Sequence, residues 1–423
     1  MIPTLNPKNE KASTLTNLAP LARPMSKSVS QFIDAARWIA ALAVLLQHTG
    51  PMSNISDYNV GHHEPGVYVW WFLAEFGHQA VVVFFVISGF LVGGAVLQRL
   101  RGSTPFLRNY FIDRFSRIYI VFAPVLLYGF VLDSIGRRLF PNSVIYEHPS
   151  FEGVFAPVNM LTALLQQQQI WATQAGTNSA LWSLACEMWY YIIFALILLP
   201  LSGAYSKTAR LAACVCGMAL LVVLSIPKGF FLFGLLVWTL GALIGLARAP
   251  LIASKWVSLA IFIVAEATIR FAVRSHTYLD HPILSYVVDA VTAASFANLL
   301  LTLRFSMDSG FSFCRWPIHR RLSDFSYSLY ASHQPMALFV WAGAAYFLGN
   351  TWHTLLPTPL HWGVTFALVA ITLVAGYCFS IVTEARTDTL RKFLRALFAR
   401  IDQRTSTLET PAPRTGEHRL EGL

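Results

Sequence analysis

The first apolar segment of this chain carries two side chains that could take part in chemistry, Arg37 and His48. They are eleven residues apart, which in an α-helix returns to nearly the same face and separates them by about 16 Å along the axis. Arginine can hold an anion, and imidazole is the side chain best suited to exchange protons near neutral pH. Two structural interpretations stay open: Arg37 could snorkel to a membrane surface, and His48 could cap the helix end.

A group of arginines follows the second apolar segment, and two of them, Arg114 and Arg117, are three residues apart. Side chains at that spacing share one face of a helix. Guanidinium groups bind phosphate in a bidentate manner and keep their charge, so the pair predicts a site for a phosphate-rich ligand. The alternative is that these arginines contact lipid headgroups on the basic side of a membrane.

A carboxylate enters the fourth apolar segment, which begins Trp182, Ser183, Leu184, Ala185, Cys186, Glu187. We expect Glu187 to lie about as deep in the bilayer as His48, where it could orient the imidazole or form a purely structural pair with another polar group. Cys186 is interpreted as a small buried apolar residue rather than a nucleophile. Trp182 and Ser183 are candidates to line a substrate site.

Two other apolar segments add candidates for the same site. Ser88 precedes Gly89 and Gly93, whose spacing lets another helix approach closely, so packing is the favoured role of the two glycines. His333 ends a run of hydroxyl-bearing residues that starts at Ser326. We predict Ser88 and His333 as substrate-site candidates, while hydrogen bonding within a helical bundle is an equally good interpretation of the His333 segment.

The composition indicates where such groups must sit. Of the 423 residues, 55% are hydrophobic and only 12% are charged, whereas a soluble domain is roughly a quarter charged. The net charge of +10 comes from basic residues in short segments between apolar blocks, which argues against nucleic-acid binding. The five cysteines suggest no disulfide framework. The chain is therefore predicted to be an integral membrane protein.

Apolar blocks near 20 residues long predict an all-α, polytopic transmembrane helical bundle of about ten spans. The predicted spans cover residues 33–49, 77–97, 118–134, 181–199, 209–226, 229–247, 255–273, 283–303, 327–348 and 361–382. Counting alternate loops and both tails places 25 of the 31 basic residues on one side, which the positive-inside rule makes cytoplasmic. We therefore expect a multi-pass protein of the cell inner (cytoplasmic) membrane with both termini in the cytoplasm.

Three regions follow from this topology. Residues 1–32 form a cytoplasmic tail without the apolar region of a cleaved signal peptide, residues 33–382 form the transmembrane domain, and residues 383–423 form a basic cytoplasmic tail. From Leu390 the tail shows an amphipathic helical pattern that predicts binding to the leaflet surface, and its last 20 or so residues are predicted to be disordered. The long loop at 135–180 is predicted to be an amphipathic or re-entrant lid over the outer face.

Taken together, these segments resemble the membrane acyltransferase-3 family, over about residues 33–382. The family's arginine, ten residues, histidine motif matches Arg37 and His48, and its arginine-x-x-arginine motif matches Arg114 and Arg117. Its tryptophan-serine-leucine-x-x-glutamate segment matches Trp182 to Glu187. The surroundings differ: Ala35, Ala36 and Trp38 flank Arg37 where a leucine-arginine-glycine run is usual, and Ser332 replaces an apolar residue before His333.

The resemblance implies an O-acyltransferase that moves an acyl group, most often acetyl, from acyl-coenzyme A to a sugar hydroxyl of a surface polysaccharide, glycolipid or related glycoside. Arg37, Arg114 and Arg117 would bind the donor, His48 would be the general base, and Glu187 would orient it. No metal and no permanently bound cofactor is expected, and the partners would be acyl-CoA, a glycan acceptor and membrane lipids, not nucleic acid. A transporter or flippase for an anionic or glycosylated solute is the alternative.

Overall fold

The fold consists of helices joined by turns and loops. A computed structural model describes residues 25–53, 65–272, 281–306, 310–354 and 358–409, and no β-strand occurs in these ranges. The predicted all-α class is therefore confirmed. The parts of the two tails at residues 1–24 and 410–423, including the segment predicted to be disordered, lie outside the described residues.

Fifteen α-helices occur in the described ranges and are numbered here in chain order. They are α1 Lys27–Ser53, α2 Pro65–Ala74, α3 Gly77–Ser88, α4 Gly94–Arg99, α5 Leu107–Leu139, α6 Pro157–Leu164, α7 Trp182–Leu198, α8 Lys207–Ser225, α9 Phe230–Ile244, α10 Lys255–Ala272, α11 Pro282–Phe305, α12 Pro317–Ser323, α13 Ser326–Leu348, α14 Pro359–Val382 and α15 Thr387–Glu409. A π-helical turn, Gly89–Gly93, joins α3 to α4.

Nine of the ten predicted spans each fall on one of these helices, and the span at 77–97 covers α3, the π-helical turn and α4. Within the described residues, seven helical stretches are long and apolar enough to cross a membrane. They are Lys27–Gly50, Pro65–Arg99, Leu107–Leu139, Ser179–Leu201, Lys207–Ser225, Ile283–Phe305 and Pro359–Gln403. Several crossings by apolar helices make this a multi-pass membrane protein. Ten spans remain a prediction, because α9 is a shorter apolar helix and α10 and α13 are not among the seven stretches.

Helix α13, which is not among the seven apolar stretches, lies in the middle of the bundle. Helix α13 packs against α14, α5 and α1, and it buries polar side chains such as Ser328, Ser332 and His333. Their hydrogen bonds are made inside the protein, so the polar residues do not face hydrocarbon. By contrast, α8 exposes Leu211 and Val215, as expected of a helix that contacts lipid.

Small residues bring α3 and α9 into backbone contact. A Cβ atom added at Gly89 would lie 1.8 Å from the carbonyl oxygen of Trp238, and one at Gly93 would lie 2.4 Å from the Cβ of Ala242. Only glycine fits at such an approach. The packing role favoured for the two glycines therefore agrees with the structure, and it presses Ser88, the residue before them, against Trp238.

One predicted boundary was wrong in a way that matters for the site. Helix α5 begins at Leu107, eleven residues before the predicted span at 118–134, so Arg114 and Arg117 lie on the spanning helix itself. The apolar pattern does not include the first three turns of α5, which carry charged residues. These turns are helical nevertheless, because their charged side chains have partners in the protein. One of them is Asp113, which binds Arg395 of α15 at 2.7 Å.

The predicted amphipathic helix of the C-terminal tail is α15. It packs along α5, and it leaves Phe393, Phe398 and Ile401 exposed. The long loop at 135–180 contains α6. Its Gln168 side chain is buried and donates a hydrogen bond to the carbonyl oxygen of Leu181 at 3.1 Å, which holds the loop against the start of α7.

Candidate active site

A cavity of about 420 Å³ opens among α1, α3, α5, α7 and α13. Its polar lining residues are Arg37, Ser88, Arg114, Arg117, Ser183, Glu187, Tyr191, Tyr327, Tyr330 and Arg391. We call it the arginine cavity, after the four arginines in that set. Three of them come from the first spans, and Arg391 comes from the C-terminal helix α15. Because arginine keeps its charge, the cavity offers positive charge to a ligand.

Besides Arg391, which pairs with Asp388 at 2.7 Å, two of the arginines are held by neighbours. Arg117 donates from Nη2 to Oε1 of Glu384 at 2.8 Å, and its guanidinium lies over the Tyr327 ring, 5.2 Å from the centroid. Arg37 donates from Nη1 to Oγ of Ser323 at 3.3 Å. These contacts fix where two guanidiniums point, so the cavity is preorganised.

Arg114 is held more loosely. It lies three residues before Arg117 on the same face of α5, with its guanidinium 5.9 Å from the centroid of the Tyr191 ring. Its Nε is buried and has no hydrogen-bond partner, and no ion pair to Arg114 occurs among the described residues. A buried donor without a partner marks a place where a ligand or water completes the hydrogen bonding. Arg114 is thus the arginine with most binding capacity left.

Glu187 forms the acidic side of the cavity. Its Oε1 accepts a hydrogen bond from Oγ of Ser88 at 2.5 Å and a second from the hydroxyl of Tyr191, one helical turn later on α7. Ser88 in turn accepts from Nε1 of Trp238 at 3.0 Å. The carboxylate is therefore anchored to two hydroxyl groups that line the same cavity.

A pair of histidines lies next to the cavity. Nδ1 of His48 is 2.6 Å from Nε2 of His333, and the two rings are nearly parallel. Nδ1 of His333 is 2.6 Å from the backbone carbonyl oxygen of Tyr330. We call His48 and His333 the histidine pair. It is one helical turn along α13 from Tyr330, whose side chain lines the arginine cavity.

These contacts determine which nitrogen carries each proton. A carbonyl oxygen only accepts, so His333 must donate from Nδ1 to Tyr330. No carboxylate bonds to either ring within the described part of the chain, and burial favours neutral rings. Neutral His333 therefore accepts at Nε2, and His48 donates from Nδ1. The remaining nitrogen of His48, Nε2, is left with a free lone pair, the form that a general base needs.

The surrounding hydrogen bonds hold this part of α13 against the start of α7. The hydroxyls of Ser183 and Tyr330 are 2.6 Å apart, and Tyr330 also donates to the carbonyl oxygen of Ala180 at 3.0 Å. The backbone N–H of Ala180 donates to Oε1 of Gln334 at 2.8 Å. Such networks rigidify the elements they join, and this one fixes the turn that presents His333.

A family model described as an acyltransferase domain matches residues 30–381, the part of the chain from α1 almost to the end of α14. The chain belongs to the acyltransferase-3 family. The match contains every residue predicted above as a site candidate, and the expectation from the sequence motifs is confirmed at the level of the family.

Curated relatives of this acyltransferase-3 protein agree with the assignment. It is 27% identical over 165 residues to an acyltransferase, MdmB, of Streptomyces mycarofaciens, covering 39% of this chain and 38% of that protein. It is 28% identical over 172 residues to an O-acetyl transferase of Shigella phage Sf6, covering 39% of this chain and 44% of that one. An uncharacterized protein of Haemophilus influenzae is 32% identical over 134 residues, 30% of this chain and 49% of that one. These matches span less than half of each relative, and no solved structure matches.

The structure brings most of the predicted residues of the acyltransferase together. Arg37, Arg114, Arg117, Glu187, Ser88 and Ser183 line the arginine cavity, whereas Trp182 turns its ring away toward Phe230. The pairing of His48 differs from the expectation. We expected Glu187 to orient it, but within the described residues Glu187 has Ser88 and Tyr191 as hydrogen-bond partners, and His48 has His333.

Sequence reasoning missed two contributors to the site. Glu384, just after α14, holds Arg117, and it is buried. Tyr191 shares the carboxylate of Glu187 with Ser88. Tyr191 could have been found, because a residue four positions after Glu187 lies on the same helix face. Glu384 carries no such signal, since it lies in the predicted basic tail, outside the apolar segments.

Proposed function

We propose that the protein is a membrane O-acyltransferase that moves an acyl group, acetyl as the first choice, from acyl-CoA to a sugar hydroxyl of a glycan or glycolipid. Membership of the family and the name of the phage relative, O-acetyl transferase, support acyl transfer. The single observation that carries the mechanism is the hydrogen-bond chain that leaves Nε2 of His48 with its lone pair free.

The arginine cavity is the proposed donor site. Coenzyme A carries several phosphate groups, and Nε of Arg114 has no hydrogen-bond partner among the described residues. Arg37 and Arg117 would add positive charge from positions that their own partners hold. The separation of about 16 Å between Arg37 and His48 along α1 is comparable to an extended pantetheine arm, so the thioester can approach the histidine pair while the phosphates stay at the arginines.

The chemistry at the histidine pair is a direct transfer. Nε2 of His48 takes the proton of the acceptor hydroxyl while the hydroxyl oxygen attacks the thioester carbonyl carbon. The carbon–sulfur bond then breaks, and the departing thiolate takes that proton back from the imidazolium of His48. The products are an O-acyl ester and coenzyme A with a free thiol, so atoms and charge balance. His333 contributes by holding His48 in the tautomer that can start this sequence.

The orientation belongs to the same proposal. The cytoplasm supplies acyl-CoA, so the arginine cavity should open inward, with both termini in the cytoplasm and the protein in the cell inner membrane. Reporter fusions at residues 205, 250 and the C-terminus should report the cytoplasm, and those at 60 and 355 the opposite side. A C-terminus reported outside would contradict the orientation.

The activity is tested with protein purified in detergent and acetyl-CoA labelled in the acetyl group. Transfer of the label to an extracted glycan fraction is expected in wild type. The comparison is glycan composition of cells with and without the gene, which identifies the acetylated sugar. Absence of transfer to every glycan and glycolipid fraction, by folded protein that still binds coenzyme A, would contradict the proposal and favour the transporter alternative.

A further inference from the structure

A second cavity, of about 220 Å³, is lined by residues of α3, α7, α9 and α11. We call it the aromatic cavity, because Trp182, Phe230, Phe233 and Tyr286 form much of its wall. The rings are in contact with one another: Trp182 meets Phe230 edge-on at 5.3 Å, and Phe233 lies 4.8 Å from Tyr286. A polar edge interrupts this wall, where Nε2 of His78 is 2.8 Å from Oδ1 of Asp289.

The two cavities lie toward opposite ends of the helices. Helices α3 and α4 with the turn between them run from residue 77 to 99, about 33 Å. His78, at their start, lines the aromatic cavity. Arg99, at their end, is 3.8 Å from Asp113, which also contacts Arg391 of the arginine cavity. In the proposed topology, a ligand would therefore reach the aromatic cavity from the face opposite to the donor.

The cavities nevertheless meet inside the protein. Val81 and Phe85 of α3 line both of them, so one layer of side chains divides the two. The aromatic cavity is also tied to the histidine pair: the backbone N–H of His78 donates to Oε1 of Gln47 at 2.9 Å, and Gln47 precedes His48 on α1. A molecule bound there is thus held next to the donor cavity and at the level of the proposed base.

The lining selects a chemical class. Aromatic faces bind apolar ring surfaces, and the His78–Asp289 pair gives the cavity a polar edge that can exchange hydrogen bonds with hydroxyl groups. An acyl chain matches the aromatic wall but offers no hydrogen bond to the polar edge, and an anion would be repelled by Asp289. A glycosyl ring satisfies both, because it has C–H faces and peripheral hydroxyls. Pockets of this kind combine mostly apolar walls with a few placed polar groups.

We infer that the aromatic cavity is the acceptor subsite and takes an uncharged glycosyl ring from the side of the membrane opposite to the acyl donor. The inference rests on the proposed function for its place in the reaction. Its binding chemistry stands separately, since it follows from the aromatic wall, the His78–Asp289 pair and the layer shared with the arginine cavity.

Photolabelling tests it without depending on turnover. The probes are octyl β-D-glucoside carrying a diazirine and a diazirine-bearing octanoic acid of matched length, with labelled peptides mapped by mass spectrometry. The glucoside should label peptides that contain Phe230 and Tyr286. Tyr286→Ala and Asp289→Asn should each lower that labelling about tenfold, the size of effect expected when one aromatic or polar contact is lost.

The controls separate this inference from the proposed reaction. Phe347→Ala, at an aromatic residue that is 80% exposed on α13, should leave labelling unchanged. His48→Ala should abolish transfer but keep full labelling. This control therefore distinguishes loss of activity from loss of the binding site. Equal labelling of the cavity by the octanoic acid would identify a lipid site and overturn the inference. The inference would also be overturned if neither Tyr286→Ala nor Asp289→Asn lowered labelling by the glucoside.

Discussion

The arginine cavity and the histidine pair both include residues of α13, but they differ in charge. In the cavity, the guanidinium of Arg117 is paired with Glu384, and Glu187 is bound by hydroxyl groups. In the histidine pair, His48 bonds to His333, and His333 bonds to a backbone carbonyl oxygen. The cavity keeps permanent charges in place within the bundle, while the pair has neutral partners throughout.

This difference explains how one bundle could serve both halves of the reaction. Binding phosphates needs fixed positive charge, which arginine supplies. A general base needs a free lone pair, and a carboxylate bonded to the ring would favour its protonated form instead. A neutral histidine partner orients His48 without adding charge. The separation of Glu187 from His48 is therefore consistent with the mechanism, although it departs from the expectation.

The largest effect is expected at His48. Removing a general base typically lowers the rate 10²- to 10⁴-fold, so His48→Ala should transfer almost no acyl group while still binding coenzyme A. His148→Ala, at an exposed histidine in the loop at 135–180, is the matched control and should keep full turnover. Rates are measured in detergent with acetyl-CoA, at equal thermal stability of the variants. A His48→Ala rate above about a tenth of wild type would remove the base from the mechanism.

The second prediction tests whether His333 orients the ring of His48 or only fills space in the bundle. His333→Leu keeps the volume but removes the acceptor for Nδ1 of His48, and kcat should fall about 10- to 100-fold, as when groups that orient a functional imidazole are lost. His333→Gln offers an amide oxygen as a new acceptor and should recover much of that loss. The affinity for coenzyme A should change in neither variant. Equal rates in the leucine and glutamine variants would show that His333 acts only through packing.

For the arginine cavity, we expect a substitution to weaken coenzyme A binding and not to lower kcat. Arg114→Gln should weaken coenzyme A binding about 10- to 100-fold, since one charge-assisted hydrogen bond contributes roughly 1.5–3 kcal/mol. Arg108→Gln is the matched control on the same helix, because Arg108 pairs with Asp402 at the exposed surface, where ion pairs contribute little. Isothermal titration with coenzyme A measures both. Unchanged affinity in Arg114→Gln would assign Arg114 to lipid contact.

The sequence was most informative where charge is rare. Ionisable side chains are rare in apolar segments, so each one is a candidate for function. This rule is sufficient to identify Arg37, His48 and Glu187 from the sequence. Helical periodicity then placed Arg114 and Arg117 together, and the arginine cavity has both in its wall. Local spacing along one helix was sufficient for these predictions.

Contacts between distant segments could not be predicted in the same way. The pairing of His48 with His333 joins residues 285 positions apart, and Glu384 meets Arg117 across 267 positions. Spacing rules describe one helix, and they do not say which face of α13 meets α1. Glu187 and His48 were both recognised and were predicted to lie at similar depth, but depth does not fix rotation about the helix axis. The predicted contact between them was therefore not found.

The smallest effect is expected from Arg37→Lys. Lysine keeps the positive charge but loses the planar fork, so it cannot hold both Ser323 and a phosphate in the same geometry. One neutral hydrogen bond is worth about 1 kcal/mol, which corresponds to roughly a fivefold weaker binding of coenzyme A. Ser323→Ala removes the hydrogen bond to Arg37 but leaves the guanidinium in place, and it should have the same or a smaller effect. If Arg37→Lys binds coenzyme A as wild type does, Arg37 contributes charge alone, and the fixed positions that distinguish the cavity from the histidine pair belong to Arg117 and Glu384.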